Sequence, residues 1–224
     1  MYFSRVQIRL GNLTPEMMAQ WDSVRPYAAH QWLWKLFPGI KTRNFLFRQD
    51  KNGVFYILSE TQPVQNNPLF FVQTKPFNPQ FSIGMELEFS LRANPVVTRD
   101  GKRHDVLMDV KFQAKGSEVA GAELEQKRQD AARNWLIAQG TKHGFELIQE
   151  ESLMTDEPFY QLDINGYQQN VLKGPNHEKP VLYSTVDFSG VLRITDIALF
   201  REALKKGFGK SKAFGCGLLL LKKR

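Results

Sequence analysis

The 224 residues of this chain suffice for one large domain or for two small ones of about 100 residues each. Hydrophobic residues make up 42% and charged residues 24%, which excludes a disordered polypeptide, and no apolar run approaches the ~20 residues of a membrane span. The lone cysteine, Cys216, excludes an internal disulfide bond and a cysteine-based metal site. Together with a charged, alternating N-terminus unlike a secretory signal, it predicts a cytoplasmic protein.

The net charge of +7 is concentrated at the C-terminal end. Residues 201–224 contain eight lysines and arginines but one acidic residue, Glu202, so the preceding 200 residues are neutral overall. Each lysine or arginine that contacts a phosphate releases counterions and adds affinity for nucleic acid. The pattern therefore favours a polyanion-binding surface, and a solvated basic tail is the alternative.

The first half of the chain predicts a ferredoxin-like order of elements. Residues 2–10 alternate between polar and apolar side chains, which is typical of a strand. Helix starts are predicted at Thr14-Pro15 and again at Pro26, and the second helix should end before residues 38–39. Strands are predicted at residues 44–48, 54–59 and 84–91, and a short apolar element at residues 69–73. The resulting order is β-α-β-β-(short element)-β.

The second half predicts the same order again. A turn-rich stretch, residues 93–116, contains a basic hairpin tip at residues 99–103 and suggests a domain boundary. Residues 166–180 are polar and predict a loop. Helices are predicted at residues 117–139 and after Thr195-Asp196, and strands at residues 145–150, 183–194 and 216–222. We therefore expect an α+β protein with two tandem ferredoxin-like (RRM-like) domains, residues 1–95 and 96–224.

The predicted helix at residues 26–37 carries a histidine at the edge of its buried face. At about 100° per residue, one apolar stripe contains Ala29, Leu33, Leu36 and Phe37. His30 lies on the edge of this stripe, with Tyr27 and Trp34 on the same flank. With a reference pKa of about 6.5, a histidine suits the base that activates an RNA 2′-hydroxyl or the acid that protonates the leaving 5′-oxygen. Tyr27 is placed to orient the phosphate or to assist proton transfer. Spacing alone, however, favours a structural role for His30, as a histidine at the edge of the core next to aromatic residues.

Residues 207–217 contain four glycines and two lysines between a predicted helix and a predicted strand. Glycines allow a backbone to approach phosphates closely, and Lys210 and Lys212 add positive charge. A Walker A motif would need a glycine where Leu204 stands, and it would open a helix rather than lead into a strand. A nucleotide triphosphatase is therefore disfavoured. A tight turn explains Gly207 but leaves the remaining glycines and both lysines without a reason.

Two further nucleic-acid classes are disfavoured by what the sequence lacks. The other histidines, His104, His143 and His177, lie in predicted turns without metal-ligand spacing or an accompanying carboxylate cluster. This argues against a metal-dependent nuclease and predicts no cofactor. The aromatic RNP-type motifs of a standard RRM are also missing, which argues against a plain reader of single-stranded RNA.

Four segments along the chain form a recognisable set: MYFSRV at residues 1–6, YAAHQWLWKLFP at residues 27–38, LRANP at residues 91–95, and the glycine-rich segment at residues 207–217. In this order and spacing they resemble CasE, the CRISPR repeat-RNA endoribonuclease of the type I-E Cascade complex within the RAMP superfamily. The resemblance runs from end to end of the chain.

This resemblance implies a specific activity in antiviral defence. Members of the family cut CRISPR precursor RNA at the base of the repeat stem-loop without metal, leave a 2′,3′-cyclic phosphate, and retain the product. The catalytic histidine of the family falls on His30, and a tyrosine present in some members falls on Tyr27. The implied partners are the repeat RNA and other Cascade subunits. The resemblance also implies no association with a membrane and a monomer when the protein is alone. A non-cleaving RNA-binding scaffold subunit is the alternative.

Several basic residues are candidates for contacts along the RNA stem. The deep, narrow major groove of A-form RNA hinders side-chain readout, so shape and phosphate contacts should dominate. The candidates are Arg92, Arg103, Arg128, Arg133, Lys173, Lys210 and Lys212. For each of them, a solvated surface charge is the alternative.

Overall fold

The computed structural model describes residues 1–50, 53–115, 121–151, 158–172 and 180–224, without the side chains of residues 20 and 22–27. The strands, in chain order, are β1 (Tyr2–Ile8), β2 (Phe45–Gln49), β3 (Val54–Ser59), β4 (Phe70–Pro76), β5 (Glu86–Ala93), β6 (Val96–Arg99), β7 (Lys102–Asp105), β8 (Phe145–Leu147), β9 (Gln149–Glu150), β10 (Phe159–Tyr160), β11 (Leu162–Leu172), β12 (Val181–Ile194) and β13 (Leu219–Lys223). The helices are α1 (Pro15–Trp34), α2 (Val106–Gln113), α3 (Gly121–His143) and α4 (Ile197–Lys206), and short 3-10 turns occupy Leu10–Asn12 and Lys212–Phe214.

The first sheet contains four antiparallel strands in the spatial order β2-β3-β1-β4. Successive side chains of a strand point to opposite faces, so alternate residues share one side of the sheet. One face carries Val6, Phe55 and Phe70, which are buried in a single core with residues of α1. This arrangement is the ferredoxin-like order that the sequence predicted for the first half.

Helix α1 is one continuous helix, so the prediction of a second helix starting at Pro26 is wrong. The Thr14 hydroxyl caps α1 by accepting a hydrogen bond of 3.3 Å from the Met17 amide, as predicted. A proline inside a helix removes a backbone hydrogen bond and costs about 3 kcal/mol. Trp21 before Pro26 and Leu33 after it pack into the same core, and such burial contributes about 1.5–3 kcal/mol per large side chain. Tertiary packing therefore outweighs the local cost.

The second sheet repeats this topology in the order β11-β12-β5-β13, and β8 pairs with the end of β12. Its core joins Leu91 and Phe188 of the sheet to Leu136 of α3 and Phe200 of α4. Asp196 caps α4 by accepting a hydrogen bond of 2.9 Å from the Leu199 amide. The predicted α+β fold with two tandem ferredoxin-like units is thereby confirmed.

Strand β5 corrects the predicted pairing of the two halves. The sequence predicted residues 84–91 as the last strand of the first sheet, whereas β5 lies between β12 and β13 in the second. The place beside β1 is taken by β4, which extends through Pro76 and is longer than the predicted short element. Alternation identifies a strand but not its partners. Pairing therefore passes to the second sheet between Pro76 and Glu86, ahead of the predicted domain limit at residues 95 and 96.

Two segments predicted as turns or loops contain regular structure. Within residues 93–116, Asp105 caps α2 by accepting hydrogen bonds of 3.0 Å from the amides of Leu107 and Met108. Residues 166–172, predicted as loop, belong to β11, an edge strand with an irregularity between Asn165 and Gln168. Because β11 lies at the edge of its sheet and nearly all of its side chains are exposed or half-buried, its composition is polar. Residues 173–179 of that predicted loop, including Lys173, lie outside the described residues.

The two sheets meet through an apolar cluster and a group of charged residues. Leu46 and Leu58 of the first sheet pack with Leu218. Close by, the Arg48 guanidinium donates a hydrogen bond of 2.8 Å to Ser90 Oγ and lies 3.7 Å from the Asp187 carboxylate. Because Arg48 belongs to β2, whereas Ser90 and Asp187 belong to β5 and β12, Arg48 links one sheet to the other.

Candidate active site

His30 lies on α1 over β2, where it is half-buried among aromatic rings. Its ring is nearly parallel to that of Phe47, with the centroids 6.4 Å apart, and nearly perpendicular to that of Trp34, at 6.2 Å. The adjacent Ala29 and Leu33 are buried. The predicted placement of His30 at the edge of a buried face is confirmed.

The indole of Trp34 holds one nitrogen of the His30 ring. Its Nε1–H donates a hydrogen bond of 3.1 Å to His30 Nε2. A neutral imidazole carries its proton on one nitrogen and accepts at the other, so this bond assigns the proton to Nδ1 and the lone pair to Nε2. An imidazolium has no acceptor and would lose the bond.

The surroundings of His30 also favour its neutral form. Burial lowers the pKa of His30 below its ordinary value, and the positive charge of Arg43 lowers it further. The hydrogen bond from Trp34 acts in the same direction. Around neutral pH, His30 therefore presents a basic Nε2.

The glycine-rich loop, residues 207–217, packs beside His30. Its 3-10 turn, Lys212–Phe214, contacts both α1 and β2. Gly215 lies against the Phe47 ring, where an added Cβ would be 3.4 Å from the ring, and Phe47 is the ring that lies parallel to His30. The fold thus brings together the two segments that the sequence singled out.

Three cations accompany this arrangement. Arg43, which precedes β2, lowers the pKa of both His30 and Lys212, so it lies within electrostatic reach of each. Burial is the main cause that lowers the pKa of Lys212, followed by Arg43 and the exposed Lys210. All the charges that shift these two pKa values are positive. An anion such as a phosphodiester would relieve their mutual repulsion.

The glycines of the loop have a structural reason that the sequence did not reveal. A Cβ on Gly209 would lie 2.7 Å from the Asn94 carbonyl oxygen, and one on Gly217 would lie 2.6 Å from that of Phe208. Both residues have positive φ, at 68° and 90°. Their close backbone approach is therefore to the protein itself, and the case for phosphate binding rests on the lysines. Lys212 Nζ donates a hydrogen bond of 3.0 Å to the Gly209 carbonyl.

Part of the C-terminal charge is balanced by acidic residues. Within residues 201–224, three basic side chains form ion pairs: Lys206 with Glu202 at 2.5 Å, Lys222 with Glu88 at 2.9 Å, and Arg224 with Glu86 at 3.1 Å. Two of these partners lie on β5, far away in sequence. The predicted polyanion surface is consequently narrower than the sequence suggested, and the loop residues Lys210 and Lys212 remain predicted members of it.

Three other predicted RNA contacts are held by partners within the protein. Arg92 donates hydrogen bonds of 2.8 and 2.7 Å to the Asp187 carboxylate. Arg128 forms an ion pair with Glu125 at 3.4 Å, and its guanidinium lies 5.4 Å from the centroid of the Tyr167 ring. Arg133 forms an ion pair with Asp130 at 2.5 Å, and its guanidinium lies 5.9 Å from the centroid of the Tyr160 ring. RNA binding by these three residues stays a prediction.

Three predicted site residues remain, Arg103, Tyr27 and Lys173. Arg103 is exposed on β7 and forms no ion pair with any residue in the described ranges. Tyr27 lies on α1, but its side chain is outside the description, as is Lys173. Their roles stay predictions.

Sequence reasoning missed Arg43 and the hydrogen bond from Trp34. Arg43 stands in a short basic run, KTR at residues 41–43, whose position over the site depends on the path of the chain between α1 and β2. The one available signal for Trp34 was its spacing of four residues from His30, which places both on one flank of a helix.

Among the described residues, no group of three or more histidine, cysteine or acidic side chains is arranged to hold a metal ion. In the same part of the chain, no helix is long and apolar enough to cross a membrane.

Known proteins share the architecture of this chain from end to end. A family model described as CRISPR associated protein matches residues 1–223. The chain belongs to this family. The CRISPR system Cascade subunit CasE of Escherichia coli (strain K12) is 29% identical over 208 residues, which cover 87% of this chain and 90% of CasE. The resemblance to CasE that the sequence suggested is confirmed.

Solved structures of the family have the same fold. The CRISPR endoribonuclease Cse3 bound to a 19-nucleotide RNA gives a TM-score of 0.72 at 22% identity, over 99% of this chain and 98% of Cse3. The CRISPR-associated protein Cas6e from Escherichia coli K-12 gives a TM-score of 0.59 at 26% identity, over the full length of both chains.

Proposed function

We propose that this protein is a metal-independent endoribonuclease that cuts CRISPR precursor RNA at the base of the repeat stem-loop and retains the product. The observation that carries this proposal is a neutral His30, with its lone pair on Nε2, within reach of the positive charge of Arg43 and packed beside the loop that carries Lys212. The Cse3 relative is described as a CRISPR endoribonuclease and is bound to RNA, which supports the same substrate class here.

The proposed reaction is an internal transesterification. His30 Nε2 takes the proton of the 2′-hydroxyl, O2′ attacks the adjacent phosphorus, and the P–O5′ bond breaks as a 2′,3′-cyclic phosphate forms. The proton gained by the imidazole is then available for the leaving 5′-oxygen. Arg43 and Lys212 are placed to stabilise the negative charge that develops on the phosphate oxygens. Tyr27, on α1 one turn before His30, is proposed to orient the phosphate.

The proposed partners follow from the same family. They are the repeat stem-loop RNA and other Cascade subunits, because the Escherichia coli relative is a Cascade subunit. We place the protein in the cytoplasm and expect a monomer in isolation.

The decisive experiment offers a repeat stem-loop RNA to the protein in excess EDTA. We expect one discrete cut and an upstream product with a cyclic phosphate, read by mass spectrometry. A 2′-deoxy substitution at the nucleotide before the cut should block the reaction, because it removes the nucleophile. Cutting of the deoxy substrate would mean that water is the nucleophile. Binding without any cut by the wild-type protein would favour the scaffold alternative.

His30→Ala should lower the cleavage rate by about 10²–10⁴-fold while RNA affinity stays within about tenfold. A general base contributes to the transition state and little to ground-state binding, which is the reason for the split. His104→Ala is the matched control, since His104 lies on the β6–β7 hairpin, and it should cut at the wild-type rate. A His30→Ala variant that cuts normally would remove His30 from the mechanism.

A further inference from the structure

The first sheet has a second face, opposite α1, that the second sheet covers only in part. Phe3, Arg5 and Gln7 of β1 point to this side, because the residues between them are buried towards α1. The strand register places residues of β3 and β4 beside them. Arg5 lies opposite Tyr56 and Gln73, Gln7 lies opposite Phe71, and Phe3 lies opposite Lys75. We call the exposed part of this surface the open face: Arg5, Arg9, Tyr56, Phe71 and Lys75.

Aromatic rings are accessible on the open face. Phe71 is 52% exposed on β4, and the Arg9 guanidinium lies 3.6 Å from its ring centroid. Tyr56 is half-buried and stacks on Phe3 with the ring centroids 6.1 Å apart. One exposed phenylalanine would need no explanation by itself. Rings that lie next to uncompensated cations form the combination that binds unpaired bases.

The positive charge of the open face is not balanced. Strands β1 to β4 contain no acidic residue, and Arg5, Arg9 and Lys75 form no ion pair with any residue that the structure describes. By contrast, Arg48 at the contact between the sheets, and Arg92, Arg193 and Lys222 of the second sheet, each pair with a carboxylate. The absence of acids across a whole sheet points to a polyanionic occupant rather than to a protein surface of mixed charge.

We propose that the open face binds a single-stranded segment of RNA, with bases stacked on Phe71 and Tyr56 and phosphates held by Arg5, Arg9 and Lys75. His30 belongs to α1 and lies on the other side of the same sheet, so this surface is separate from the proposed cleavage site. The proposal rests on the proposed function in one respect: the ligand is the unpaired RNA that flanks the stem-loop. The proposed ligand differs from the sequence-based expectation, which argued against a plain single-strand reader, because β-sheet register assembles rings and cations that no contiguous motif contains.

The test compares two RNAs, a bare stem-loop and the same stem-loop with single-stranded flanks, both 2′-deoxy at the cut. Phe71→Ala should weaken binding of the flanked RNA by about tenfold, because a base stacked on the Phe71 ring would lose that contact. The double variant Arg5→Ala/Lys75→Ala should weaken it at least as much and reduce its salt dependence. Affinity for the bare stem-loop should stay within about twofold. Phe71→Trp preserves a stacking ring and should retain wild-type affinity.

A matched control comes from another exposed phenylalanine. Phe112 on α2 is 75% exposed, and Phe112→Ala should leave both affinities unchanged. Equal losses for both RNAs, or no loss for either, would overturn the proposal. Normal RNA binding by Phe71→Ala together with failure to join a Cascade subunit would also overturn it, and would identify a protein-docking surface. Because binding is measured on uncut RNA, these results stand apart from whether the wild-type protein cleaves.

Discussion

His30 and Trp34 lie one helical turn apart, and their hydrogen bond links ring orientation to protonation. The Nε1–H of Trp34 occupies the Nε2 lone pair in the unliganded protein. A substrate hydroxyl that is to be deprotonated by Nε2 must replace that donor, so the indole marks the position where the hydroxyl would stand. Trp34 therefore acts through His30 and is a positioning residue in the proposed reaction.

Trp34→Phe should raise the pKa of His30 towards its ordinary value. The lost hydrogen bond stabilises the neutral imidazole, typically by about 0.5–1.5 kcal/mol. Since activity requires the neutral form, cleavage is lost as pH falls through the pKa of His30. The acid limb of kcat/KM should accordingly move to higher pH in the variant. NMR titration of the His30 ring measures the same change without any catalysis.

Trp135→Phe provides the control for this prediction. Trp135 is buried in the core of the second sheet, where its ring stacks on Phe188. The substitution should lower stability and leave the titration of His30 unchanged. An unaltered His30 pKa in Trp34→Phe would mean that the indole does not tune the base.

At the residue scale, sequence periodicity predicted the position of His30 but not its chemical environment. The 3.6-residue repeat places Trp34 on the flank of His30, and both the buried stripe and the flank are observed. Arg43 could not be predicted as a neighbour, because its location depends on how the chain returns from α1 to β2. The tautomer of His30 depends on the hydrogen bond from Trp34, and helical spacing places the two side chains on one flank without fixing that bond.

The glycine-rich loop is the element that joins the two halves of the candidate site. Gly217 donates its amide to the Arg92 carbonyl at 2.7 Å, and Lys210 donates its amide to the Asn94 carbonyl at 3.3 Å. These bonds attach the loop to the end of β5 and to the residue that follows it. The loop is therefore held by the second sheet while it contacts α1 over the first.

Gly217→Ala should destabilise the protein by more than 2 kcal/mol. The positive φ of 90° costs an L-residue about 1–2 kcal/mol, and the new Cβ would lie 2.6 Å from the Phe208 carbonyl oxygen. Gly84→Ala is the matched control: its φ is 81°, and nothing lies within 4 Å of an added Cβ. Urea unfolding of both variants separates the clash from the backbone cost. Equal losses for the two variants would show that the loop yields without strain.

Lys210→Ala/Lys212→Ala should weaken binding of many stem sequences alike and flatten the salt dependence. Each lost phosphate contact should reduce the log–log slope by roughly 0.7–0.9. Such contacts position the RNA and carry no sequence information directly. We also expect neither binding nor hydrolysis of ATP, because the loop follows a helix instead of opening one.

A charge-matched control separates contact from net charge. Lys206→Ala/Lys222→Ala removes the same formal charge from side chains that pair with Glu202 and Glu88. This variant should keep a salt slope close to that of the wild type. Parallel lines for the wild type and Lys210→Ala/Lys212→Ala would mean that the loop lysines touch no phosphate.

At the element scale, strong local sequence patterns predicted individual strands and helix caps, but not which strands pair with each other. The strand at residues 54–59 and the Asp196 cap of α4 are observed as predicted. Strand β11 was missed because a polar edge strand lacks the alternation of a half-buried one. Strand β5 was recognised but assigned to the wrong sheet, since its clean alternation is compatible with either.

The whole molecule depends on the contact between the two sheets, where Asp187 accepts hydrogen bonds from Arg92 and attracts Arg48. The same carboxylate lies near the buried thiol of Cys216. Burial raises the pKa of this thiol to about 12, and the negative charge of Asp187 also raises it, whereas Arg92 and Arg48 lower it. The thiol stays protonated at ordinary pH. The charged group is therefore a carboxylate between two guanidinium groups, one from each sheet.

Asp187→Asn tests whether this group holds the two halves together. The side chain keeps its size but loses the charge, so Arg48 and Arg92 would be left half-buried without a counterion. The side chains of Arg92 and Asp187 are 33% and 30% exposed. Water therefore screens the unpaired charge in part and reduces the loss of stability. We expect a loss of about 1–3 kcal/mol in the free energy of unfolding, measured in urea at an unchanged m-value.

The matched control for Asp187→Asn is Glu202→Gln, which breaks an exposed pair with Lys206 and should cost less than about 1 kcal/mol. Since Gly217 binds the Arg92 carbonyl, Asp187→Asn should also slow cleavage at a temperature where the variant remains folded. A stable Asp187→Asn protein with slowed cleavage would assign the group to alignment of the loop over His30. A variant that unfolds earlier yet cleaves normally below its transition would assign it to sheet-to-sheet stability alone, with the loop held independently by its own backbone hydrogen bonds.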